Sequence, residues 1–516
     1  MRAEKGGWTG RTLCAVAAVG VMLPALVAQQ SCPSGTFWEP DELPDVHQLN
    51  YVTSQSDFEA MCNDQMDYSH VVTGELTFND AQYTGVELQV HGGVYQRRGV
   101  SKPSFRLKWS SDDPFGDKHG NPFSYPATGC NNMKKMVLRG EWNDYPMANQ
   151  GLMIRNKVTQ DLIKKAGGQT PRVEFAVLNV NGAYFGFYAL EEHTSEGFIE
   201  CQGWDVGATS LYKQASPSEG TKWMRTGLPA LQGFERKMMG PHDCSGCDND
   251  HPERQRVGDS SCNCPPGNED LDPLFSVMND PDVTLDELAS VFNITDYMIW
   301  QMVTTYSMNV DTGAHNSYIH GPTHGVEQSD SNRLWRVINI DADWGWGYGW
   351  CCRDSYHLSD FGQVRGCSPT DNRLTSMYCV GEMKMKELLE NRFGGVLYGR
   401  YLSMFQRFLQ EDYTQSCTIQ SAIDQLLGPD GVLTSYLQAD VDYWAAHHTG
   451  RWRGNGWSLA HETGFIKAWM GARVPFLQEY VAAQCLQERS CTGMPSKQTV
   501  ASPHSSLRTH HIPCDS

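Results

Sequence analysis

The chain has no excess of basic residues. Lys and Arg number 41 against 60 Asp and Glu, a formal net charge of -19. That excludes a protein built to hold a nucleic-acid backbone, which needs a basic face. Long hydrophobic runs are also missing, apart from one near the start. LCAVAAVGVMLPALVA follows the basic segment MRAEKGGWTGRT and is interrupted by Pro24. It reads as a signal peptide over residues 1–28, cleaved after Ala28, rather than as a membrane anchor. No apolar tail closes the C-terminus, so a lipid-anchor signal is absent and no stable membrane attachment is expected. No internal repeat appears, which excludes a repeat array. What the chain does have is 40% hydrophobic residues over 516 positions, enough for more than one packed core. It also has 17 cysteines. Cys14 falls in the signal and sixteen remain, an even number that reads as a disulfide framework in an oxidising compartment. Asn293-Ile294-Thr295 is a glycosylation sequon. The expected location is extracellular or the lumen of the secretory pathway.

Six segments follow from the patterning. After the signal, residues 29–70 form an N-terminal extension with few periodic signals. Residues 71–204 carry strands. VVTGELTF and GVELQVHGG alternate apolar and polar residues, and in SFRLKW the residues Phe105, Leu107 and Trp109 share one face while Arg106 and Lys108 share the other. A helix is expected over 146–166, capped by Asp144, with Pro146 in its first turn and Ile154, Val158 and Leu162 on one stripe. Two apolar runs then meet at Asn181-Gly182, a hairpin signal. Residues 205–283, with CSGC, CNC and Pro265-Pro266, read as a cysteine-containing insertion. Four cysteines at that spacing suit zinc, but a secreted chain favours disulfides. From Thr284, which forms a capping-box pattern with Glu287, residues 284–486 are mainly helical. Residues 487–516 read as a disordered tail. The class is α+β, with a cleft between the two halves as the natural ligand site.

The chemistry concentrates in NVDTGAHNSYIH and, further on, LWRVINIDADWGWG. Asp311 and Asn316 bound a short loop, and the strand after it pairs naturally with the run that delivers Asp341 and Asp343. Such oxygens suit a hard cation that keeps few protein ligands and completes its shell with phosphate and water. Protein kinases place a hydroxyl-facing Asp, an Asn five residues on, a strand hairpin and a metal-bridging Asp in this order. Upstream, Lys108 stands at the end of a strand, a helix follows, and Glu191-Glu192 end the hairpin where a hinge would lie. No helix carboxylate sits at the right spacing to pair with Lys108.

Together these segments resemble the CotH (spore coat protein H) kinase family of secretory-type atypical kinases. The matching pieces are the Arg98-Gly99 turn with KPSFRLKW, GLMIRNKVTQDL with Arg155 and Asn156, LNVNGAYFGFYALEE, LYK at 211–213, DTGAHNSYIH, INIDADWGWG and Arg473 in the last helix. The likeness spans roughly residues 70–485. It implies an atypical protein-kinase-like two-lobed fold, with an antiparallel, sheet-rich N-lobe and a mainly helical C-lobe. It also implies ATP with Mg2+ or Mn2+, and transfer of the γ-phosphoryl group to Ser or Thr hydroxyls of a protein substrate, basic or Ser-rich. By motif, Asp311 becomes the catalytic base and Asn316, Asp341 and Asp343 the metal ligands. Arg98, Lys102, Lys108 and Glu191 become the nucleotide-side residues. Three features depart from the family's pattern: RGVSKPS is shorter, Ile340 stands where a Trp commonly precedes the metal Asp, and the insertion has no counterpart. The rival readings are an inert kinase-like coat or adhesin protein, and a calcium-dependent hydrolase using His315.

Overall fold

Seven strands close on themselves. They are β1 (Val46–Val52), β2 (Val71–Phe78), β3 (Ala81–His91), β4 (Ser104–Lys108), β5 (Lys135–Arg139), β6 (Val173–Val180) and β7 (Ala183–Glu192). In space they run β1-β2-β3-β4-β5-β7-β6, and β6 returns to β1 to complete a barrel. This is a computed structural model; it describes residues 35–39, 42–65, 70–92, 102–110, 113, 115, 133–140, 151–214, 234–240, 242–243, 269–309, 316–327, 333–343, 345–347, 388–389, 392–447 and 457–487.

The alternation read from the sequence fills the barrel. Phe105, Leu107 and Trp109 lie within one buried cluster with Tyr51, Leu88 and Tyr188, so Arg106 and Lys108 face outward. The Asn181-Gly182 turn holds φ of 52° and 81°, as a two-residue hairpin connection requires, and it lays β6 against β7. One expectation is corrected. The sheet is not wholly antiparallel, because β1 pairs parallel with β6, Leu49 opposite Leu178. The closing strand comes from the segment read as an extension.

A second sheet has the order β10-β9-β8-β11-β12. Its members are β8 (Thr209–Gln214), β9 (Phe234–Met239), β10 (His242–Asp243), β11 (Ser317–Pro322) and β12 (Arg336–Asn339). The expected β11–β12 hairpin is present, with Ser317 opposite Asn339. Part of the 205–283 segment is therefore built into the body, because β8 pairs along β11. CSGC and CNC lie outside the described residues.

Ten helices appear among the described residues: α1 (Gln55–Asn63), α2 (Arg155–Lys165), α3 (Glu196–Cys201), α4 (Asp272–Asn279), α5 (Leu285–Val291), α6 (Ile294–Ser307), α7 (Val396–Phe408), α8 (Ser416–Leu427), α9 (Thr434–His447) and α10 (Leu459–Gln487). The capping box before α5 is formed in both directions: the Glu287 N–H donates to Thr284 Oγ1 at 3.2 Å, and the Thr284 N–H donates to Glu287 Oε2 at 2.8 Å. Helix α2 starts at Arg155, later than expected, and Asp144 and Pro146 lie outside the described residues. Its Ile154, Val158 and Leu162 are buried as the stripe predicts. No helix among the described residues is long and apolar enough to cross a membrane. Cys62, near the end of α1, is a free thiol pushed up to about 12 by burial and by Glu59, so a disulfide framework does not take in every cysteine.

The start of α6 carries a pH-sensitive charge. Asn293 is its cap, accepting from the Asp296 N–H at 3.1 Å. Burial pushes the Asp296 carboxyl up to about 6 from 3.8, and Arg336, 3.5 Å away, only partly offsets it. The folded carboxyl therefore binds its proton more tightly than the unfolded one. Stability from this group rises on acidification from about pH 6 to 4, and above pH 6 the ionised form is a standing cost of up to about 3 kcal/mol. Asp296→Asn should raise the urea midpoint at pH 7.5 and flatten its change between pH 6 and 4. An unaltered pH profile in the variant would refute this assignment.

Candidate active site

The β11–β12 register sets the site. Ser317 faces Asn339, and the Ile340 N–H donates to the Asn316 carbonyl at 3.3 Å. Asn316 is therefore held beside the residue that precedes Asp341. The chain then breaks from strand geometry: Asp341 has φ 57°, a left-handed conformation that Asp tolerates better than most side chains. This bend swings Ala342 and Asp343 onto the first turns of α2. The Ala342 N–H donates to Asn156 Oδ1 at 2.9 Å, Arg155 Nη1 donates to the Asp343 carbonyl at 3.1 Å, and Trp346 Nε1 donates to Thr159 Oγ1 at 2.8 Å. On the other side, the Trp346 N–H donates to the Ser307 carbonyl at 2.7 Å. Gly347, at φ 91°, is fixed as glycine by space as well, since a Cβ there would meet Trp469 at 2.8 Å.

The opposite approach to the site is equally braced. Helix α6 ends at Met308 in a left-handed cap, and the buried Arg473 of α10 donates from Nη2 to the Thr305 carbonyl at 2.7 Å. A cation at a helix C-terminus neutralises its exposed carbonyls. The loop that follows therefore leaves from a fixed point. Asp311 and His315 follow it and lie outside the described residues; Arg98, between β3 and β4, also lies outside them.

Asp341 is tied to the barrel through a charge chain. Arg139, at the end of β5, forms an ion pair through Nε with buried Glu191 of β7 and reaches Asp341 Oδ1 from Nη1 at 2.7 Å. Asn156 Nδ2 donates to Glu191 Oε2 at 2.9 Å, the same oxygen that Arg139 Nε faces, while Arg139 Nη2 donates to Oε1 at 3.3 Å. Burial raises the Glu191 carboxyl above its usual range and the nearby Asp341 adds to this, while Arg139 and Asn156 pull it down. Asn156 thus touches Glu191 with its amide NH2 and the Asp341 turn with its amide oxygen.

Around this chain the acidic protein collects cations. His91 and His193 lie with ring centroids 6.0 Å apart. Both are held well below the usual histidine range, first by burial. Arg139, Arg106, Lys213 and Lys237 then act on His91, and Lys135, His91, Arg106 and Lys237 act on His193. The cationic groups come from β4, β5, β8 and β9, so strands of the barrel and of the second sheet both bring positive charge toward the two histidines.

Two expected nucleotide residues lie elsewhere. Lys108 pairs with Glu87 at 3.0 Å, with both side chains roughly two-fifths exposed. Lys102 is sealed inside: its ammonium lies 2.7 Å from Asp440 Oδ2 on α9 and also donates to the Phe187 carbonyl. Lys102 thus faces an internal carboxylate in this structure. Asn293, the sequon residue, is the half-buried cap of α6. Sequence reasoning missed Arg139, His91 and His193. Arg139 closes the run KMVLR as Lys108 closes FRLK, but its partners are long-range and carry no local signal.

Asn316, Asp341 and Asp343 supply amide and carboxylate oxygens, with Asn316 and Asp343 buried. That donor chemistry fits a magnesium-type cation sharing its shell with phosphate. Among the described residues no cluster of three or more His, Cys, Asp or Glu stands at metal-binding range, so a site built from protein carboxylates alone is not in view there.

A model of the family described as CotH kinase protein matches residues 88–413. Among solved structures, the chain is similar to one in the complex of the Shewanella oneidensis MR-1 toxin–antitoxin proteins HipA and HipB with operator DNA. The identity is 11% over 76% of this chain and 68% of that one, with a TM-score of 0.24, a level at which no residue or role is carried across. No curated protein matches the chain in sequence.

Proposed function

The chain belongs to the CotH kinase protein family, and on that premise we propose that it transfers the γ-phosphoryl group of ATP to Ser or Thr hydroxyls of a protein. The observation that carries this reading is the Arg139–Glu191–Asp341 chain beside a positive region in a protein of net charge -19. Phosphoryl transfer needs little covalent chemistry from the protein and much positioning and charge stabilisation. Residues of both kinds are gathered here.

In this reading Asn316, Asp341 and Asp343 hold the divalent cation, Mg2+ or Mn2+, which neutralises phosphate charge when bound. Arg106, Lys135, Lys213 and Lys237 flank the triphosphate. Lys108 has no part in it. Asp311 accepts the proton of the attacking hydroxyl. The hydroxyl oxygen forms a bond to the γ-phosphorus, the bond to the β,γ-bridging oxygen breaks, and ADP leaves. A low-dielectric setting strengthens each of these contacts. The acidic surface suits a basic, Ser-rich protein substrate. Work in the secretory pathway or outside the cell is part of the proposal. It is supported by the N-terminal apolar run and by the even number of cysteines that follow it.

The test is transfer of radiolabelled phosphate from ATP with Mg2+ or Mn2+ onto a basic model protein. Asp311→Ala should lose transfer and keep nucleotide binding. If the wild-type chain binds no ATP with either metal, the proposal fails.

A further inference from the structure

We propose that Arg139 is an exchanging cation. It neutralises Asp341 in the nucleotide-free protein, then turns to the nucleotide phosphates when a divalent cation takes Asp341. The inference rests on the phosphotransfer reading and assigns that site a residue no motif pointed to.

The geometry argues for exchange from one end of the guanidinium only. The Glu191 end is anchored: Glu191 is buried, bonded by two nitrogens of Arg139, and held from behind by Asn156. The Asp341 end is a single contact at 2.7 Å to the more exposed carboxylate, 15% against 4%. A guanidinium is planar and always charged, with donors on separate edges, so it can keep one carboxylate while giving up another. A lysine could not bridge both carboxylates with the same fork. Released from Asp341, Nη1 remains beside the group of cations that act on His91. An anion entering that region meets Arg139 held at fixed position by Glu191. Protein kinases hold their phosphate-binding lysine by an ion pair to a glutamate and give the metal-side aspartate to the cation. Here both partners of the pair stand on adjacent strands, β5 and β7.

The exchange makes a prediction of opposite signs that a merely structural strap does not. In the full-length chain, Mn2+ binding without nucleotide is measured by electron paramagnetic resonance. ATP binding in the presence of Mn2+ is measured by calorimetry. Arg139→Gln keeps a donor for Glu191 and removes the charge. It should bind Mn2+ about tenfold more tightly, because a competing cation is gone, and bind ATP about tenfold more weakly. Arg139→Lys keeps the charge and loses the fork. It should leave Mn2+ affinity within about threefold and still weaken ATP. Weaker Mn2+ binding by Arg139→Gln, or no change in either titration, overturns the proposal. If Arg139→Gln does not fold, unchanged ATP binding by Arg139→Lys overturns it. A wild-type chain that binds Mn2+ but not ATP would instead overturn the phosphotransfer reading, leaving the Mn2+ comparison to judge the Arg139–Asp341 contact by itself.

Discussion

Asp341→Asn is expected to abolish metal-dependent nucleotide binding and to lower phosphoryl transfer on the order of 10³-fold. Asparagine is the informative replacement because the position has φ 57°. Alanine there would add backbone strain of roughly 1 kcal/mol to the loss of charge, and the two effects would be confounded. Asparagine accepts the left-handed conformation and removes only the anion. The turn itself should persist, since Ala342 and Asp343 are held through their backbone by Asn156 and Arg155. Thermal unfolding should therefore shift little while calorimetry shows no metal-dependent nucleotide binding. Retention of more than a tenth of wild-type transfer by Asp341→Asn would remove Asp341 from the reaction.

The second large effect concerns stability. Lys102 and Asp440 are separated by 338 residues in sequence and lie 2.7 Å apart with side chains at most 1% exposed. Asp440 Oδ1 also accepts from Tyr184 Oη at 2.8 Å and from the Phe187 N–H at 2.7 Å. Deleting one member leaves a buried charge uncompensated, at a cost of about 3–5 kcal/mol. Lys102→Met and Asp440→Leu should each lower the unfolding free energy measured in urea by that amount. The double variant, which puts apolar groups against each other, should recover the part due to the uncompensated charge, but not the hydrogen bonds that Tyr184 and Phe187 lose. Single variants that lose less than about 1 kcal/mol would show the pair to be incidental. Because Lys102 belongs to RGVSKPS, the pair also fixes the base of that turn against α9.

The sequence exposed what is local. The Asn181-Gly182 hairpin, the Thr284–Glu287 box and the inward face of SFRLKW all declare themselves within a few residues, because turn dihedrals, caps and alternation are short-range. The β11–β12 pairing was legible for the same reason, and with it the approach of Asn316 to Asp341. Long-range charge partners were not. Nothing in KMVLR says that Arg139 will meet Glu191 and Asp341, since that depends on β5 lying beside β7 and on a bend at residue 341. Lys102 reads as a loop lysine until α9 is folded against it. The closing strand β1 escaped because its partner β6 lies more than a hundred residues away.

Helix α2 has a consequence for how the chain can be divided. Nine of its eleven residues are buried, and Arg155, Asn156, Lys157, Thr159, Gln160 and Asp161 are among them. Such a segment gains little from hydrophobic collapse, and a helix of this length is marginal alone. Its polar groups find partners on both sides: Glu174 and Glu191 from the barrel, Asp343 and Trp346 from the β12 turn. Neither side can be satisfied without the other. A cut between the strand-rich and helical portions would cost α2 either the contacts of Arg155, Asn156 and Thr159 with the β12 turn or those of Asn156 and Lys157 with the barrel. A truncation meant to isolate a domain is therefore expected to be less stable unless it keeps the chain on both sides of α2.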